Sequence, residues 1–444
     1  MLRKKLAKRD NGTEERGAAA GIGRNFIAMM VLQLGAYVMS FATFPYLARV
    51  LGPHEFGVFG FATAAATYGT TLTEWGFNLS GPKAVVENRT NQDALNELIW
   101  SIIGGKAILC VTSLVILIIA LQFNTQLAAD FKVVLCSWLA VVANVFTMYW
   151  LMQGLERFKT LAIVVLIARA TMLPLTFIFV KGPGDVVAAA MIQAGGPLAA
   201  ALLSLLVAFE TGVLRRPAVS PRAIWRRLRQ GADMFVATAA VNLFSSANIV
   251  ILGTTAGAYA VGVYSAADKI RNVGNIIPAQ INQVFFPRIS ALFKARRNEA
   301  ARLTVLGVGA VQLSTIVVVA GFFCGSSNIS NFVLGAKYDG SAEILKLLAL
   351  CALVGNLSYF IGLQILVPFG GARKRSLIML IGGIVNVVAV ILASPRFGAK
   401  GAAVSLLISE AIVLLLYGIL IISNRELRRY CISGCVPLKR WICS

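Results

Sequence analysis

The segment YSAADKIRNVGNIIPAQINQVFFPR, residues 264–288, has the length of a membrane span but many polar side chains. As one helix it would extend about 37 Å, more than the ~30 Å hydrocarbon core of a bilayer. At 3.6 residues per turn, one stripe carries Asp268, Arg271, Asn272, Asn275 and Asn282. An ionised side chain near the bilayer centre costs roughly 2.5–3.5 kcal/mol. The stripe predicts a helix that lines a transport cavity or, alternatively, a buried helix whose polar groups satisfy one another.

The composition places the whole chain in a membrane. Of its 444 residues, 58% are hydrophobic and only 14% are charged, which is far from the balance of a soluble domain. A formal net charge of +22 could indicate a nucleic-acid partner, but the basic residues lie between apolar segments. We therefore predict an all-α polytopic membrane protein with no nucleic-acid partner.

Apolar segments of about 20 residues, the length that spans a bilayer, occur twelve times. They are 25–49, 56–80, 95–121, 131–153, 158–180, 186–209, 231–253, 260–287, 302–325, 342–369, 376–394 and 400–423. Basic residues favour cytoplasmic loops. Thirty of the 41 Lys and Arg residues lie on the side that includes residues 1–24, and six lie on the other side. Both termini are therefore expected in the cytoplasm, and residues 1–24 are expected to be a solvated tail instead of a signal peptide.

The two groups of six spans resemble each other. A shift of 205 residues places Gly52 on Gly257, Gly57 on Gly262 and Val58 on Val263, although small residues also match by coincidence. Six spans per repeat would make the two halves parallel. The prediction is twelve transmembrane helices in two six-helix lobes around a central cavity. The divisions are a cytoplasmic tail 1–24, an N-terminal lobe 25–209, a cytoplasmic linker 210–230, a C-terminal lobe 231–423 and a cytoplasmic tail 424–444.

Four segments, in order, resemble the polysaccharide-transporter family. They are FPYLARVLGPHEFGVFGFA (44–62), EWGFNLSGPKAVVENR (74–89), YSAADKI with FFPRISALF (264–293) and SPRFGAKGAAVSLLISE (394–410). The family comprises O-antigen and exopolysaccharide repeat-unit flippases of the multidrug/oligosaccharidyl-lipid/polysaccharide exporter superfamily. Glu74 and Trp75 stand where members often have an Asp-Phe pair.

The resemblance implies a two-lobed transporter in a bacterial inner membrane. It would move a lipid-linked oligosaccharide, carried on undecaprenyl pyrophosphate, from the cytoplasmic to the periplasmic leaflet, and an ion gradient is expected to drive this transport. Further expected partners are membrane lipid, a glycan polymerase and chain-length proteins.

A pyrophosphate-linked sugar needs cations and hydrogen-bonding groups in the cavity. The cations inside predicted spans are Arg271, Arg169, Lys106, Lys269 and Lys346. Arginine stays charged when buried and can bind phosphate in a bidentate manner. For Lys106 and Lys346, snorkelling or a local acidic partner is the alternative.

Acidic residues inside the spans are fewer. Glu74, Asp268 and Glu410 could couple transport to an ion gradient, or each could simply neutralise a cation. The candidate sugar contacts are Asn78, Asn272, Asn275, Trp75 and Tyr264. Amides in membrane bundles also join helices, so this second role remains open for them.

We expect no cofactor, no metal site and no enzymatic activity. The chain has a single histidine, His54, no P-loop, and seven cysteines without the spacing of a zinc site. Two other functions remain open. A cation-coupled drug exporter of the same superfamily would favour acidic residues in its cavity, and a membrane glycan polymerase or ligase would need a larger periplasmic loop than residues 326–341.

Overall fold

The described part of the chain is almost entirely helical. The computed structural model describes residues 35, 39, 41–123, 128–217 and 220–442, and no strand occurs in these ranges. The helices are α1 (residues 41–74), α2 (Phe77–Asn88), α3 (Gln92–Phe123), α4 (Phe131–Phe146), α5 (Tyr149–Gly154), α6 (Phe158–Phe179), α7 (Val186–Glu210), α8 (Pro221–Gly274), α9 (Ile276–Ala295), α10 (Arg297–Val333), α11 (Ser341–Phe360), α12 (Ala372–Ser423) and α13 (Arg425–Ile442). The predicted all-α membrane class is confirmed. The predicted tail 1–24 lies outside the described residues.

Glycines divide the longest helices. Helices α8 and α12 contain 54 and 52 residues, which would extend about 80 Å if straight, far beyond the ~30 Å hydrocarbon core. Their backbones break at Gly257 (φ 84°) and Gly398 (φ 54°), and Gly52 (φ 75°) in α1 also has a positive φ. Glycine adopts this region without a steric penalty. Each break separates two predicted spans.

Contacts across two of these breaks show that the helix folds back on itself. In α8, the Asn248 amide donates to the Tyr264 hydroxyl at 2.9 Å. In α12, the Ser409 hydroxyl donates to the Gly382 carbonyl at 2.6 Å. The residues of each pair lie on opposite sides of the glycine. Each long helix therefore consists of two antiparallel segments that pack together.

Within the described ranges, eight helices are long and apolar enough to cross a membrane. One of them is α12, which contains the two predicted spans 376–394 and 400–423. The first predicted span, 25–49, lies mostly outside the described residues. The count of twelve spans therefore remains a prediction.

The segment 264–288 is not one continuous helix, which corrects the span predicted at 260–287. Helix α8 ends at Gly274 and α9 begins at Ile276, with Asn275 between them. Pro278 lacks the N–H that would donate to the Gly274 carbonyl, and its ring crowds that carbonyl. The predicted span 56–80 is also interrupted, by residues 75 and 76 between α1 and α2.

At one end of the bundle, the two predicted lobes touch through a pair of glycines. A Cβ atom on Gly57 would collide with the Ala258 carbonyl oxygen, and one on Gly262 would collide with the Pro53 carbonyl oxygen. The 205-residue shift that relates the two halves of the sequence places Gly57 on Gly262 and Pro53 on Ala258. The two contacts are therefore equivalent. Only glycine allows two helix backbones to approach this closely.

Hydrogen bonds reinforce the contact at the same end. The Arg49 guanidinium donates to the carbonyls of Phe332 and Val333, the latter at 3.2 Å. The Tyr338 hydroxyl donates to the Ala48 carbonyl at 2.8 Å. Burial raises the pKa of Tyr338, which keeps this hydroxyl protonated as a donor. These bonds join the segment before Gly52 to the α10–α11 connection.

At the opposite end, side chains of α3 form hydrogen bonds with the backbone of the predicted linker 210–230. The Asn96 side chain donates to the Arg216 carbonyl and accepts from the Arg215 N–H, both at 3.0 Å. The Trp100 indole N–H donates to the Arg215 carbonyl at 3.0 Å. From Pro221 onward the linker is helical and continuous with the following span, because proline suits the first position of a helix.

The predicted C-terminal tail contains a packed helix, α13. Leu427, Tyr430 and Gly434 occupy one buried face, and the Tyr430 and Thr304 hydroxyls lie 2.9 Å apart. The spacing i, i+3, i+7 is that of a single helix face. The sequence prediction assigned no structure to this segment because its basic residues and short apolar content do not indicate a span.

The charge distribution predicts which end of the bundle is cytoplasmic. Reporter fusions after Arg229 and Arg373 should report a cytoplasmic location, and fusions at Ala256 and Gly335 a periplasmic one. Paired alkaline phosphatase and green fluorescent protein reporters measure the two locations. A periplasmic signal after Arg229 would overturn the two-lobe topology.

Candidate functional site

Three adjoining cavities lie inside the bundle. The C-terminal cavity, about 270 Å³, is formed by α8, α11 and α12, and its charged lining residues are Asp268, Arg271, Arg375 and Glu410. The central cavity, about 390 Å³, lies between α1, α4, α7 and α8. Asp268 lines both, so the two cavities share a wall.

The N-terminal cavity, about 450 Å³, is formed by α1, α2, α4, α6 and α7. It is lined by Glu74, Asn78, Asn144, Arg169 and Gln193. Gln193 also lines the central cavity, so the central cavity shares a wall with each of the other two. Predicted site residues from both halves of the sequence thus line adjoining cavities.

Arg271 lines the C-terminal cavity and is held by Asp268 and Asn272, and its Nη2 donates to the Asn272 side-chain oxygen at 3.3 Å. Its Nη2 lies 2.7 Å from an Asp268 carboxylate oxygen, and both side chains are 18% exposed. The other Asp268 oxygen accepts from the Asn272 amide at 3.1 Å. The Arg271 Nε is buried and has no hydrogen-bond partner. Asp268 therefore neutralises one side of the guanidinium, while the enclosed Nε makes no hydrogen bond.

Amide groups continue the polar lining of this cavity. The Asn356 amide donates to the Asn275 side-chain oxygen and to the Thr315 hydroxyl, each at 3.1 Å. Both asparagines line the C-terminal cavity. Tyr264 is almost fully buried and accepts from Asn248, which in turn accepts from Asn386 at 2.6 Å. Asn275 and Tyr264 therefore have structural partners as well as positions at the cavity.

Glu410 enters the C-terminal cavity from α12. One of its carboxylate oxygens accepts from the Ser358 hydroxyl at 3.1 Å. Among the described residues, Arg271 forms its ion pair with Asp268, and Glu410 takes part in none. Asp268 thus neutralises a cation, as one of the two predicted alternatives requires, whereas Glu410 is stabilised by a hydroxyl.

Lys269 lies in the central cavity against aromatic rings from α1. Its ammonium is 5.4, 5.5 and 6.0 Å from the ring centroids of Phe44, Phe56 and Phe59. Cation–π attraction operates at about this distance and strengthens where water is excluded. The contact joins the two predicted lobes, because Lys269 and the rings belong to different ones.

Lys106 supports the N-terminal cavity from behind. Its side chain is 1% exposed, and its ammonium donates to the Asn144 carbonyl at 3.0 Å. The Asn144 amide donates to the Thr70 carbonyl at 3.1 Å. Lys106 therefore positions a cavity wall, whereas Arg169 and Glu74 line that cavity directly.

Two predicted site residues lie away from the three cavities. Lys346 lines none of them. The Trp75 indole N–H donates to the Leu228 carbonyl at 2.7 Å, and its ring stacks on Phe235 with centroids 4.1 Å apart. These contacts join the α1–α2 junction to α8. The predicted binding roles of Lys346 and Trp75 remain predictions.

The sequence analysis did not identify Arg375 and Asn356 as cavity residues. Arg375 follows Arg373 and Lys374 and was counted among the cytoplasmic loop charges, although it lines the C-terminal cavity. No sequence signal separates it from its two neighbours. Asn356 is an isolated amide within an apolar span, which is a signal that could have identified it.

Comparisons with known proteins agree with this architecture. A family model described as polysaccharide biosynthesis protein matches residues 22–293. A putative O-antigen transporter of Escherichia coli (strain K12) is 30% identical over 413 residues, covering 91% of this chain and 97% of that protein. A putative O-antigen transporter of Shigella dysenteriae is 24% identical over 392 residues, covering 88% and 98% respectively.

Solved structures share the fold. An inward-facing multidrug resistance MATE family transporter of the MOP superfamily gives a TM-score of 0.70 at 13% identity, covering 91% of this chain and 99% of that chain. The lipid II flippase MurJ in an inward closed conformation gives 0.69 at 14% identity, covering 93% and 90%. An outward-facing MATE transporter gives 0.56 at 13% identity, covering 92% and 96%.

The family match covers more than half of the chain, and the Escherichia coli relative aligns over nearly all of it. These findings confirm the resemblance drawn from the four sequence segments. The chain belongs to the polysaccharide biosynthesis protein family.

Proposed function

We propose that this protein is a flippase for undecaprenyl-pyrophosphate-linked oligosaccharide repeat units of an O antigen or an exopolysaccharide. It moves them from the cytoplasmic to the periplasmic leaflet of a bacterial inner membrane by alternating access, with both of its termini in the cytoplasm. A glycan polymerase and chain-length proteins use the units on the periplasmic side. Support comes from two relatives named as putative O-antigen transporters.

The observation that carries the proposal is the set of adjoining cavities with charged and amide side chains inside an apolar bundle. A polyprenyl tail can remain in the bilayer while its pyrophosphate and sugars cross, provided that the protein replaces water around them. Arg271 lines the C-terminal cavity with a permanently charged guanidinium, and charge-assisted bonds from such a group to phosphate are short and strong. Asn78, Gln193 and Arg169 in the N-terminal cavity offer hydrogen bonds to sugar hydroxyls.

We assign ion coupling to Glu410 before Asp268. Asp268 is engaged by Arg271 and Asn272, so its charge is already balanced. Glu410 faces the cavity with a hydroxyl partner and no ion pair among the described residues. An intramembrane carboxylate that is outside a salt bridge is suited to binding and releasing a proton.

The alternative of a drug exporter fits the cavities less well. Arg169, Lys269, Arg271 and Arg375 line them, against three acids, Glu74, Asp268 and Glu410. Cationic drugs would favour the opposite balance. A glycan polymerase or ligase would need a catalytic centre at the periplasmic end, whereas the polar groups described here lie inside the bundle.

Complementation tests the proposed function. The protein is expressed in a strain that lacks its own flippase and contains the genes for the corresponding repeat unit. Surface glycan should return, and lipid-linked repeat units should no longer accumulate in the inner leaflet. An empty vector is the control. Absence of surface glycan despite normal abundance in the membrane would contradict the proposal, and increased drug resistance in the same strain would favour the exporter.

A further inference from the structure

Trp225 lies exposed on the helical part of the predicted linker. This part begins at Pro221 and continues as α8 into the predicted span 231–253. Trp225 is 69% exposed there. An indole that packs against no other side chain contributes little to folding, whereas tryptophan is enriched where a membrane meets water. Its position therefore indicates a partner outside the helical bundle.

Three arginines share the exposed side of the helix with Trp225. Arg222, Arg226 and Arg229 stand at i−3, i+1 and i+4 from it, and all three are exposed. This is the spacing of one helix face. Among the described residues, Arg222 and Arg229 form no ion pair, and residues 211–232 contain no Asp or Glu. The Trp225 face, formed by these four residues, is thus aromatic and strongly basic.

The Trp225 face points away from the interior of the bundle. Ala223 and Ile224, on the other side of the helix, are buried. Asn248 and Ile249 follow them by 25 residues, which is almost seven turns, so they lie on the same side. Asn248 is buried and Ile249 lines the central cavity. The Trp225 face is therefore turned towards the surrounding membrane and not towards the cavities.

The Trp225 face also lies at the level of lipid headgroups. At about 1.5 Å per residue, Arg229 is about 3 Å beyond the predicted span 231–253, and Trp225 is about 9 Å beyond it. The headgroup layer occupies roughly 5–8 Å on each side of the hydrocarbon core. Clustered basic side chains beside a span attract the anionic lipids of the cytoplasmic leaflet. The face therefore begins within the headgroup layer at the predicted cytoplasmic end.

We propose that the Trp225 face binds the headgroups of anionic phospholipids in the cytoplasmic leaflet. The negative charge of these lipids complements the arginines, and the indole lies among the headgroups. Helix α3 borders the face, where Arg226 lies 3.7 Å from a Glu97 carboxylate oxygen. The bound lipid holds the first span of the predicted C-terminal lobe at a fixed depth. This anchor is independent of which substrate the protein transports.

Lipid binding to the purified full-length protein in detergent tests the proposal. Native mass spectrometry compares phosphatidylglycerol, which is anionic, with phosphatidylcholine, which has no net charge, both with the same acyl chains. The wild-type protein should retain more phosphatidylglycerol. Arg222→Gln with Arg229→Gln should reduce this retention at least fivefold, because one basic side chain near an anionic membrane surface contributes about this factor. Trp225→Ala should reduce it too, although it leaves the charge unchanged.

Arg373→Gln with Lys374→Gln is the matched control. It removes two exposed charges from the same predicted side of the membrane, next to no tryptophan, and should change retention less than twofold. Thermal unfolding shows that each variant is folded. An equal loss in the control, or unchanged retention in the folded arginine or Trp225 variants, would overturn the inference. Unchanged retention together with lost export would assign the face to a protein partner instead of a lipid.

Discussion

A disulfide between Gly60→Cys and Ser265→Cys should abolish glycan export, and reduction should restore it. A Cβ atom on Gly60 would lie 3.6 Å from the Ser265 Cβ, within the roughly 3.5–4.5 Å separation of disulfide-linked residues. The two positions belong to α1 and α8, close to the Gly57–Gly262 contact. If the predicted lobes rock against each other, these segments must separate when the cavity opens at this end.

The bridge is formed in membranes with an oxidant, in a background whose native cysteines are replaced by alanine. Export is compared for the oxidised double variant, the reduced double variant and each single variant. The single variants control for the substitutions, and the reduced protein controls for expression. Normal export with the bridge fully formed would exclude rocking at this contact.

Other contacts at this end support the same expectation. Arg49 and Tyr338 hydrogen-bond across the two predicted lobes, and neither bond can persist if the lobes separate there. The bridge should therefore retain the conformation described here.

Sequence reasoning predicts best where chemistry and periodicity agree. Polar residues at helical spacing in an apolar segment are costly in lipid, and this identifies Asp268 and Arg271 as interior residues and as neighbours. The 205-residue shift similarly pairs Gly57 with Gly262, and the structure places these glycines against each other. In both cases, the sequence pattern is sufficient to predict which residues lie in the interior or at the contact.

Side-chain direction at a span boundary is not visible in the sequence. Arg373, Lys374 and Arg375 are equivalent as charges, and only the start of α12 and the space beside Tyr359 turn the third inward. Trp75 differs from Arg375, because its position beside Glu74 suggests a cavity residue and its side chain lies elsewhere. An aromatic residue beside an intramembrane acid is a reasonable ligand contact, yet tertiary packing against Phe235 positions its ring away from the cavities.

The sequence contains two signals for the helix break at Asn275. Pro278 removes a hydrogen bond one turn earlier, and Gly274 adds flexibility at that point. Length and hydropathy instead favoured one continuous span. The break matters for the site, because it leaves Asn275 at the end of α8, where it bonds with Asn356 in the cavity lining.

Replacing Arg271 and Asp268 together, by Arg271→Gln with Asp268→Asn, should leave the protein in the membrane but stop glycan export. Removing both charges of a buried pair is often nearly neutral for stability, whereas removing one costs about 3–5 kcal/mol because the other stays uncompensated. Arg271→Gln alone should therefore reduce abundance as well as export. Arg271→Lys should retain intermediate export, since it preserves the charge and loses the fork.

The measurement is export divided by membrane abundance for the three variants. A matched control is the exposed pair Arg296 and Glu299, which has the same i,i+3 spacing and side chains 69% and 55% exposed. Exposed pairs contribute about 0–1 kcal/mol. Arg296→Gln with Glu299→Gln should therefore change neither abundance nor export.

The double variant separates the two explanations of Arg271. If the residue only balances Asp268, removing both should restore normal export, because no uncompensated charge remains. If Arg271 binds the pyrophosphate from its position in the cavity lining, export should fail while abundance stays normal. Asp268 lies 2.7 Å from the Nη2, so the double variant removes both members of this pair together. A double variant that exports normally would make Arg271 an ion-pair partner and nothing more.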